Sequence, residues 1–203
     1  MLIAMAACGK SGSGTVKTEA RQVAAFSRVE LAGSGKLHIA VTPDGAQTLA
    51  MTTDDNLLPL ILTDVVDGKL TIWTHEEIDP SRSLEVEIHV PKLEALKLSG
   101  AGHAKVERIA GTLFELWLTG AGTVDLTGEV TETQMHVSGA GAVHGAGLHA
   151  QKVEVNLSGV GEAEVFATEH VDVRLSGAGH VSVLGKPKVV DKHVSGVGTV
   201  DLR

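Results

Sequence analysis

A short pattern of Ser or Thr followed by Gly, a small residue and Gly occurs six times in the second half of the chain. The first glycines stand at positions 100, 120, 139, 159, 177 and 196, so successive copies are 20, 19, 20, 18 and 19 residues apart. The glycines concerned are Gly100, Gly102, Gly120, Gly122, Gly139, Gly141, Gly159, Gly161, Gly177, Gly179, Gly196 and Gly198. Such regular spacing is typical of proteins built from stacked structural repeats.

Apolar and polar residues alternate on both sides of each copy, as in "LKLSGAGHAKV" from Leu96 to Val106. This alternation predicts strands with one buried face. The glycines predict a corner at which they supply positive φ and let backbones stack closely. A nineteen-residue turn would trace a loop of roughly 60 Å that can bury its apolar side only by stacking on others. We therefore predict an all-β fold, a right-handed parallel β-helix (β-solenoid) with rungs of about 19 residues. A β-sandwich or meander is less favoured, because it gives no reason for one corner to return at a fixed period.

The composition limits both the core and the partners. Apolar residues make up 43% of the chain but aromatic residues only 2%, so the core is expected to consist of Val, Leu, Ile and Ala. The formal net charge of −8 argues against binding to nucleic acid, because a phosphate backbone requires a basic surface. We predict no nucleic-acid partner.

The N-terminus carries the single cysteine of the chain, Cys8, after the apolar run "MLIAMAA". An apolar run that ends in small residues is what signal-peptide processing requires, and the segment resembles the lipobox of bacterial lipoproteins, in which the cysteine is lipidated. We predict that residues 1–8 are a lipoprotein signal segment, truncated at its start, and that residues 9–25 form a flexible tether. The resemblance implies a lipid anchor in the membrane. Because no Asp follows Cys8, it also implies the outer membrane of a bacterial envelope.

The solenoid head is predicted to span residues 26–203, with irregular opening or capping coils at 26–91 and regular rungs at 92–203. In residues 26–91, "NLLPLILTDVVDGKLTIW" precedes an alternating strand that ends at Pro91. This order, followed by the "LSGAG" copies, resembles the bacterial putative auto-transporter adhesin head GIN domain family over about residues 26–203. The resemblance implies a right-handed parallel β-helix in secreted or envelope-anchored proteins. It suggests adhesion and transfers no catalytic residue.

One outward column of the predicted rungs offers large or polar side chains for contact with a partner. Two residues before the repeated Ser or Thr stand Trp117, His136, Asn156 and Arg174 in four successive copies. Equivalent residues of neighbouring rungs lie about 4.8 Å apart. We predict that these four residues form the binding face.

Two further columns contain residues that could bind a metal ion or cleave a polysaccharide. Both columns are also explained as solvent-exposed charged faces of the repeat. Asp125, His144 and Glu164 are predicted in successive rungs and are competent ligands for a divalent ion, but a surface charge ladder is the favoured interpretation. The second column consists of Glu115, Gln134, Glu154, Asp172 and Asp191. Polysaccharide-cleaving enzymes use such carboxylates in a groove, yet the chain has few aromatic residues on which sugars could stack. We predict neither a cofactor nor a metal ion.

Three functions remain open at this point. We favour a non-catalytic, envelope-anchored module that binds a surface, a glycan or an envelope protein. The alternatives are a carbohydrate-active enzyme on the same scaffold and a structural envelope lipoprotein without a specific ligand. Self-association into a homo-oligomer through the solenoid ends also stays open.

Overall fold

The computed structural model describes residues 9–203. The predicted signal segment and the lipidation site Cys8 lie outside these residues. Within them the chain forms seventeen strands and one 3-10 turn at Leu58–Leu60. No helix of the described part is long and apolar enough to cross a membrane. The strands are β1 Lys10–Ser11, β2 Val16–Ala20, β3 Arg28–Ala32, β4 Gly35–Val41, β5 Thr48–Asp54, β6 Ile61–Val66, β7 Lys69–Thr74, β8 Ile78–Asp79, β9 Glu85–Val90, β10 Ala95–Leu98, β11 Ala101–Leu118, β12 Ala121–Val137, β13 Ala140–Leu157, β14 Val160–Leu175, β15 Ala178–Leu184, β16 Val189–Val194 and β17 Val197–Leu202.

The predicted β-solenoid is confirmed. Strands β11, β12, β13 and β14 pair in parallel with one another, and β15, β16 and β17 continue the stack. The repeated glycines lie in register from rung to rung, for example Gly102 with Gly122 and Gly122 with Gly141. Each rung therefore uses the repeated Ser-Gly-small-Gly segment at the same corner.

The core follows the alternation of the sequence. One inner column contains Leu96, Leu116, Met135, Val155 and Val173 in register, and all five are buried. The next member of this column, Lys192, lies in the last rung and is exposed. A charged residue at this inward position suits a rung that no further rung of residues 9–203 covers.

The corner glycines are required by space rather than by their dihedral angles. None of the twelve is among the described glycines with positive φ, so the prediction of positive φ at this corner is wrong. A Cβ atom built on Gly120 would instead clash with the carbonyl oxygen of Gly100 in the preceding rung, because it would lie closer than any normal van der Waals contact. The same relation links Gly139 to Gly120 and Gly159 to Gly139. The rungs stack at this corner because neither partner has a side chain.

The uneven spacing of the repeats is absorbed away from the glycine corner. The register between β11 and β12 shifts between Val106 and Ile109, and that between β12 and β13 shifts between Asp125 and Thr127. Bulges of this kind accommodate extra residues while the ladder on either side keeps its pairing. The 18- to 20-residue steps therefore change the length of one corner without moving the glycines out of register.

Residues 26–91 cap the solenoid, but their rungs do not follow chain order. Strands β3 and β4 form one rung that pairs with β10 and β11 on one side. On its other side the same rung pairs with β7 and β9, which come later in the chain. Antiparallel strands then close this end, with β6 on β7, β5 on β9 and β2 on β5. The cap covers edges that would otherwise be free to pair.

The prediction of a flexible tether at residues 9–25 is wrong. Strand β1 pairs in parallel with β8, and β2 pairs with β5 from Val16 to Ala20. The guanidinium of Arg21 donates hydrogen bonds to the carbonyls of Leu58 (2.8 Å) and Ile61 (2.5 Å). The Gly and Ser composition suggested a linker, but these residues supply the backbone that satisfies the edge of the cap.

Asp54 fixes this N-terminal segment to the cap. Its side chain is fully buried and accepts hydrogen bonds from the Ser81 hydroxyl (2.6 Å), the Ser81 N–H (2.8 Å) and the Gly14 N–H (2.7 Å). The hydrogen bond from the Ser81 hydroxyl, helped by the two N–H donors, lowers the pKa of Asp54 despite its burial. A carboxylate with a lowered pKa stabilises the fold above the unfolded-state pKa, and this stabilisation is lost as the pH falls through the folded-state pKa.

We expect Asp54→Asn to lower the free energy of unfolding at neutral pH. We also expect the free energy of unfolding of the variant to depend less on pH in the acid range. Between pH 6 and pH 3 the free energy of unfolding of the wild type should fall more than that of the variant, because below the unfolded-state pKa of about 4 the unfolded wild type binds a proton at Asp54 more readily than the folded protein does. Urea unfolding of both proteins, followed by circular dichroism at several pH values, measures the free energy of unfolding and its change with pH. Equal slopes for the two proteins would contradict this role of Asp54.

Candidate contact face

The four predicted binding residues lie together on one sheet of the solenoid, here called face A. Face A consists of the outward side chains of β3, β7, β10 and β16 and of the residues in register with them in β11–β14. Trp117, His136, Asn156 and Arg174 occupy consecutive rungs of its central column, followed by His193. The alternation of each strand directs these side chains away from the core.

Contacts between neighbouring rungs link the residues of the central column, partly through Glu154. The indole of Trp117 and the imidazole of His136 are stacked, with ring centroids 5.6 Å apart and an interplanar angle of 14°. The Asn156 amide nitrogen lies 3.5 Å from Nδ1 of His136 and donates to Oε1 of Glu154 at 2.9 Å. Arg174 donates to the same Glu154 oxygen at 2.7 Å. These contacts hold the column in a defined arrangement.

The acidic residues form a second column beside it. Glu115, Gln134, Glu154, Asp172 and Asp191 lie in register. Arg174 forms ion pairs with both Glu154 and Asp172. The hydrogen bond from Asn156, together with the charge of Arg174, outweighs desolvation and lowers the pKa of Glu154. The Glu154 and Asp172 carboxylates therefore share the guanidinium of Arg174.

The cap end of face A is basic. Glu30 accepts contacts from the ammonium groups of Lys97 (2.8 Å) and Lys69 (2.9 Å). Burial alone would raise the pKa of Glu30, but the two lysines together lower it. Arg28 lies in register with Lys69 and donates to the backbone carbonyl of Asp67. Face A thus changes from basic at the cap to acidic toward the last rung.

The column predicted as a weak metal site lies on a different sheet and is a charge ladder. Asp125, His144 and Glu164 are in register. Asp125 contacts His144 Nδ1 at 2.7 Å and His103 Nε2 at 2.9 Å, so it is shared between two imidazoles. Within residues 9–203, no group of three or more His, Cys, Asp or Glu side chains has the geometry to hold a metal ion.

Clefts lie on face A and within the cap, and the sequence patterns had indicated none of them. One of about 330 Å³ lies on face A between Trp117 and the basic cap end, with Ala95 among its lining residues. A wider depression of about 740 Å³ adjoins Asn156, Arg174 and His193. A third, of about 380 Å³, lies within the cap beside Trp73. The first was missed because its walls come from rungs that are stacked out of chain order.

Parallel rungs around an aliphatic core, with an antiparallel cap and one outward column of contacting side chains, define the chain as a β-solenoid protein. The chain belongs to the family described as "Putative auto-transporter adhesin, head GIN domain", whose model matches residues 25–187. The resemblance stated from the sequence is thereby confirmed.

Solved structures show the same fold. A putative adhesin from Bacteroides fragilis is 22% identical with a TM-score of 0.80, over 96% of this chain and 100% of that one. A putative lipid binding protein from Parabacteroides distasonis is 20% identical with a TM-score of 0.55, over 95% and 98%. A putative adhesin from the same organism is 19% identical with a TM-score of 0.55, over 97% and 100%. No curated protein matches this chain.

Proposed function

We propose that this chain is a non-catalytic binding module of the bacterial cell envelope and that face A contacts a glycan or a protein on a surface. The observation that carries the proposal is the central column, in which Trp117 stacks on His136, Asn156 lies 3.5 Å from His136, and Arg174 shares the Glu154 carboxylate with Asn156. Proteins of the same fold are described as "putative adhesin", which supports the assignment.

The mechanism is contact spread over a rigid, repetitive surface. Each rung presents one residue of the central column, about 4.8 Å from the next. Trp117 offers a large amphipathic side chain of the kind that dominates binding energy in many interfaces. The ion pairs and hydrogen bonds among Asn156, Glu154 and Arg174 fix these polar groups before a partner arrives, which reduces the entropy lost on binding.

The electrostatics of face A favour binding over catalysis. A glycosidase needs one carboxylic acid whose pKa is raised so that it can protonate the leaving group. The pKa of Glu154 is instead lowered, and Arg174 binds both Glu154 and Asp172. This is the opposite of what the carbohydrate-active alternative would require of Glu154 as the general acid.

Single substitutions on face A are expected to weaken binding. With the protein of residues 9–203, Trp117→Ala and Arg174→Ala should each reduce affinity about tenfold or more for any ligand captured on a glycan array or on immobilised outer-membrane preparations. Lys105→Ala, on another sheet, is the matched control and should bind like the wild type. If both face A variants retain full affinity, face A is not the contact surface. A wild type that binds nothing would favour a purely structural lipoprotein.

We further propose that Cys8 is lipidated and anchors the head to the outer membrane. The expected result is incorporation of labelled palmitate into the full-length protein and none into Cys8→Ala, since the thiol is the attachment point. Expression starts at an upstream start codon where the host gene has one. Protease treatment of intact cells then distinguishes the two sides of the membrane: cleavage supports a surface role, and protection directs the search to periplasmic partners. Equal labelling of both proteins would contradict the anchor.

A further inference from the structure

A notch interrupts the second column of face A, which lies beside the central column. Toward the cap the second column continues beyond Glu115. From the cap toward the last rung it contains, in register, Lys69, Arg28, Ala95, Glu115, Gln134 and Glu154. Ala95 is the one small residue in that series. It faces outward and does not belong to the core cluster, yet only 6% of it is exposed because longer neighbours surround it. The missing side chain leaves the cleft of about 330 Å³.

The walls of the notch combine an aromatic surface with cations. Trp117 lines it. His136 stacks on the indole from the following rung, so the other indole face is directed toward the rung of Lys97, which also lines the notch. Arg28, Lys97 and Lys69 contribute three positive charges, and Glu30 and Glu115 two negative ones. Glu30 is already shared by the two lysines.

We propose that this notch binds one pyranose ring that carries a carboxylate, as in a uronic-acid unit of an acidic polysaccharide. The ring lies against the indole of Trp117, and the carboxylate faces Arg28 and Lys97. An aromatic plane suits the apolar face of a sugar ring, and a guanidinium binds a carboxylate through two parallel hydrogen bonds. The notch is within the size range of small-ligand sites, which begins at about 300 Å³. This inference rests on the proposed function, because it assigns the first ligand subsite of face A.

The excess of cations decides between an acidic and a neutral sugar. The charge of Arg28 is felt at Glu94, whose pKa it helps to lower, but Arg28 has no direct ion pair within residues 9–203. A uronic acid would supply one, whereas a neutral ring would not. The interaction should therefore weaken as salt is raised, since exposed charges are screened.

The test fills the notch without removing any of its walls. Ala95→Gln introduces the side chain that the same column carries at Gln134, so the rung can accommodate it. Binding of trigalacturonic acid is followed by the fluorescence of Trp117 in a Trp73→Phe background. Ala95→Gln is expected to weaken binding about tenfold or more, and Arg28→Gln by about fivefold. The matched control is Ala142→Gln, the same exchange on another sheet, where the next rung already carries Glu162. The methyl-esterified trisaccharide should bind more weakly than the acid.

The outcomes separate this inference from the function on which it rests. Retained affinity in both Ala95→Gln and Arg28→Gln, or equal affinity for the acid and its ester, overturns the notch. No binding of the acid by the wild type up to millimolar concentration overturns it as well. In each case the array experiment with Trp117→Ala and Arg174→Ala still decides whether face A is a contact surface.

Discussion

Replacement of Gly120 by Val is expected to destabilise the protein by roughly 3–5 kcal/mol. A Cβ atom at this position would penetrate the carbonyl group of Gly100, which belongs to the backbone of the preceding rung. A backbone carbonyl cannot rotate away as a side chain can, because Gly100 O accepts the hydrogen bond from Ala121 N. The rungs would have to separate at this corner, and the separation would disturb the neighbouring ladders of β11 and β12.

The adjacent residue provides the matched control. Ala121→Val adds side-chain atoms one position further along, where other rungs carry Val160 and Val197 in the same column. We expect this change to alter stability by less than about 0.5 kcal/mol. Urea unfolding of the two variants and the wild type measures the difference. Similar stabilities for Gly120→Val and Ala121→Val would show that the corner tolerates side chains and that the glycines have another role.

The second large effect is expected in the core. Phe114→Ala should lower the free energy of unfolding by roughly 3–5 kcal/mol. Phe114 is fully buried and is one of only three phenylalanines in the chain. Its neighbours are mostly aliphatic side chains of a close-packed core, and they are held at the rung spacing by the ladders above and below. They cannot move in to fill the space, so most of the cavity would remain.

Leu113 is the control for this prediction. It precedes Phe114 in the same strand but points outward and is 39% exposed, compared with 0% for Phe114. Leu113→Ala is expected to cost less than about 1 kcal/mol. The same denaturation experiment compares the two variants, and circular dichroism at low urea confirms that both retain β structure. A small loss for Phe114→Ala would mean that the rungs can collapse around the cavity.

The sequence by itself predicted the central part of the molecule well. Its repeat placed twelve glycines at one corner, separated inner from outer columns, and put Trp117, His136, Asn156 and Arg174 side by side. These positions were predictable because residues that touch in a solenoid are about one repeat apart in sequence. The same contacts therefore recur at the same sequence separation in every rung. The anchor at Cys8 stays a prediction.

The cap could not be predicted in the same way. The pairing of β2 with β5, the hydrogen bonds of Asp54 and the position of β7 and β9 beyond β3 and β4 are each made only once, so no period reveals them. Glycine and serine in residues 9–14 suggested a tether, although their backbone is paired at the edge of the cap. A contact that occurs once between distant segments leaves no repeated pattern in the chain.

The notch at Ala95 shows most directly what only the tertiary structure decided. An alanine in an alternating strand gives no signal of a site when the sequence is taken alone. Its meaning depends on Arg28 and Lys69, which precede it in the same column from rungs that are out of chain order, and on Trp117, which lines the same cleft from the following rung. The sequence determined the rungs and their corner because those interactions repeat. The tertiary structure decided which charged and aromatic side chains meet around the cleft, because that depends on the unique order in which the cap is folded.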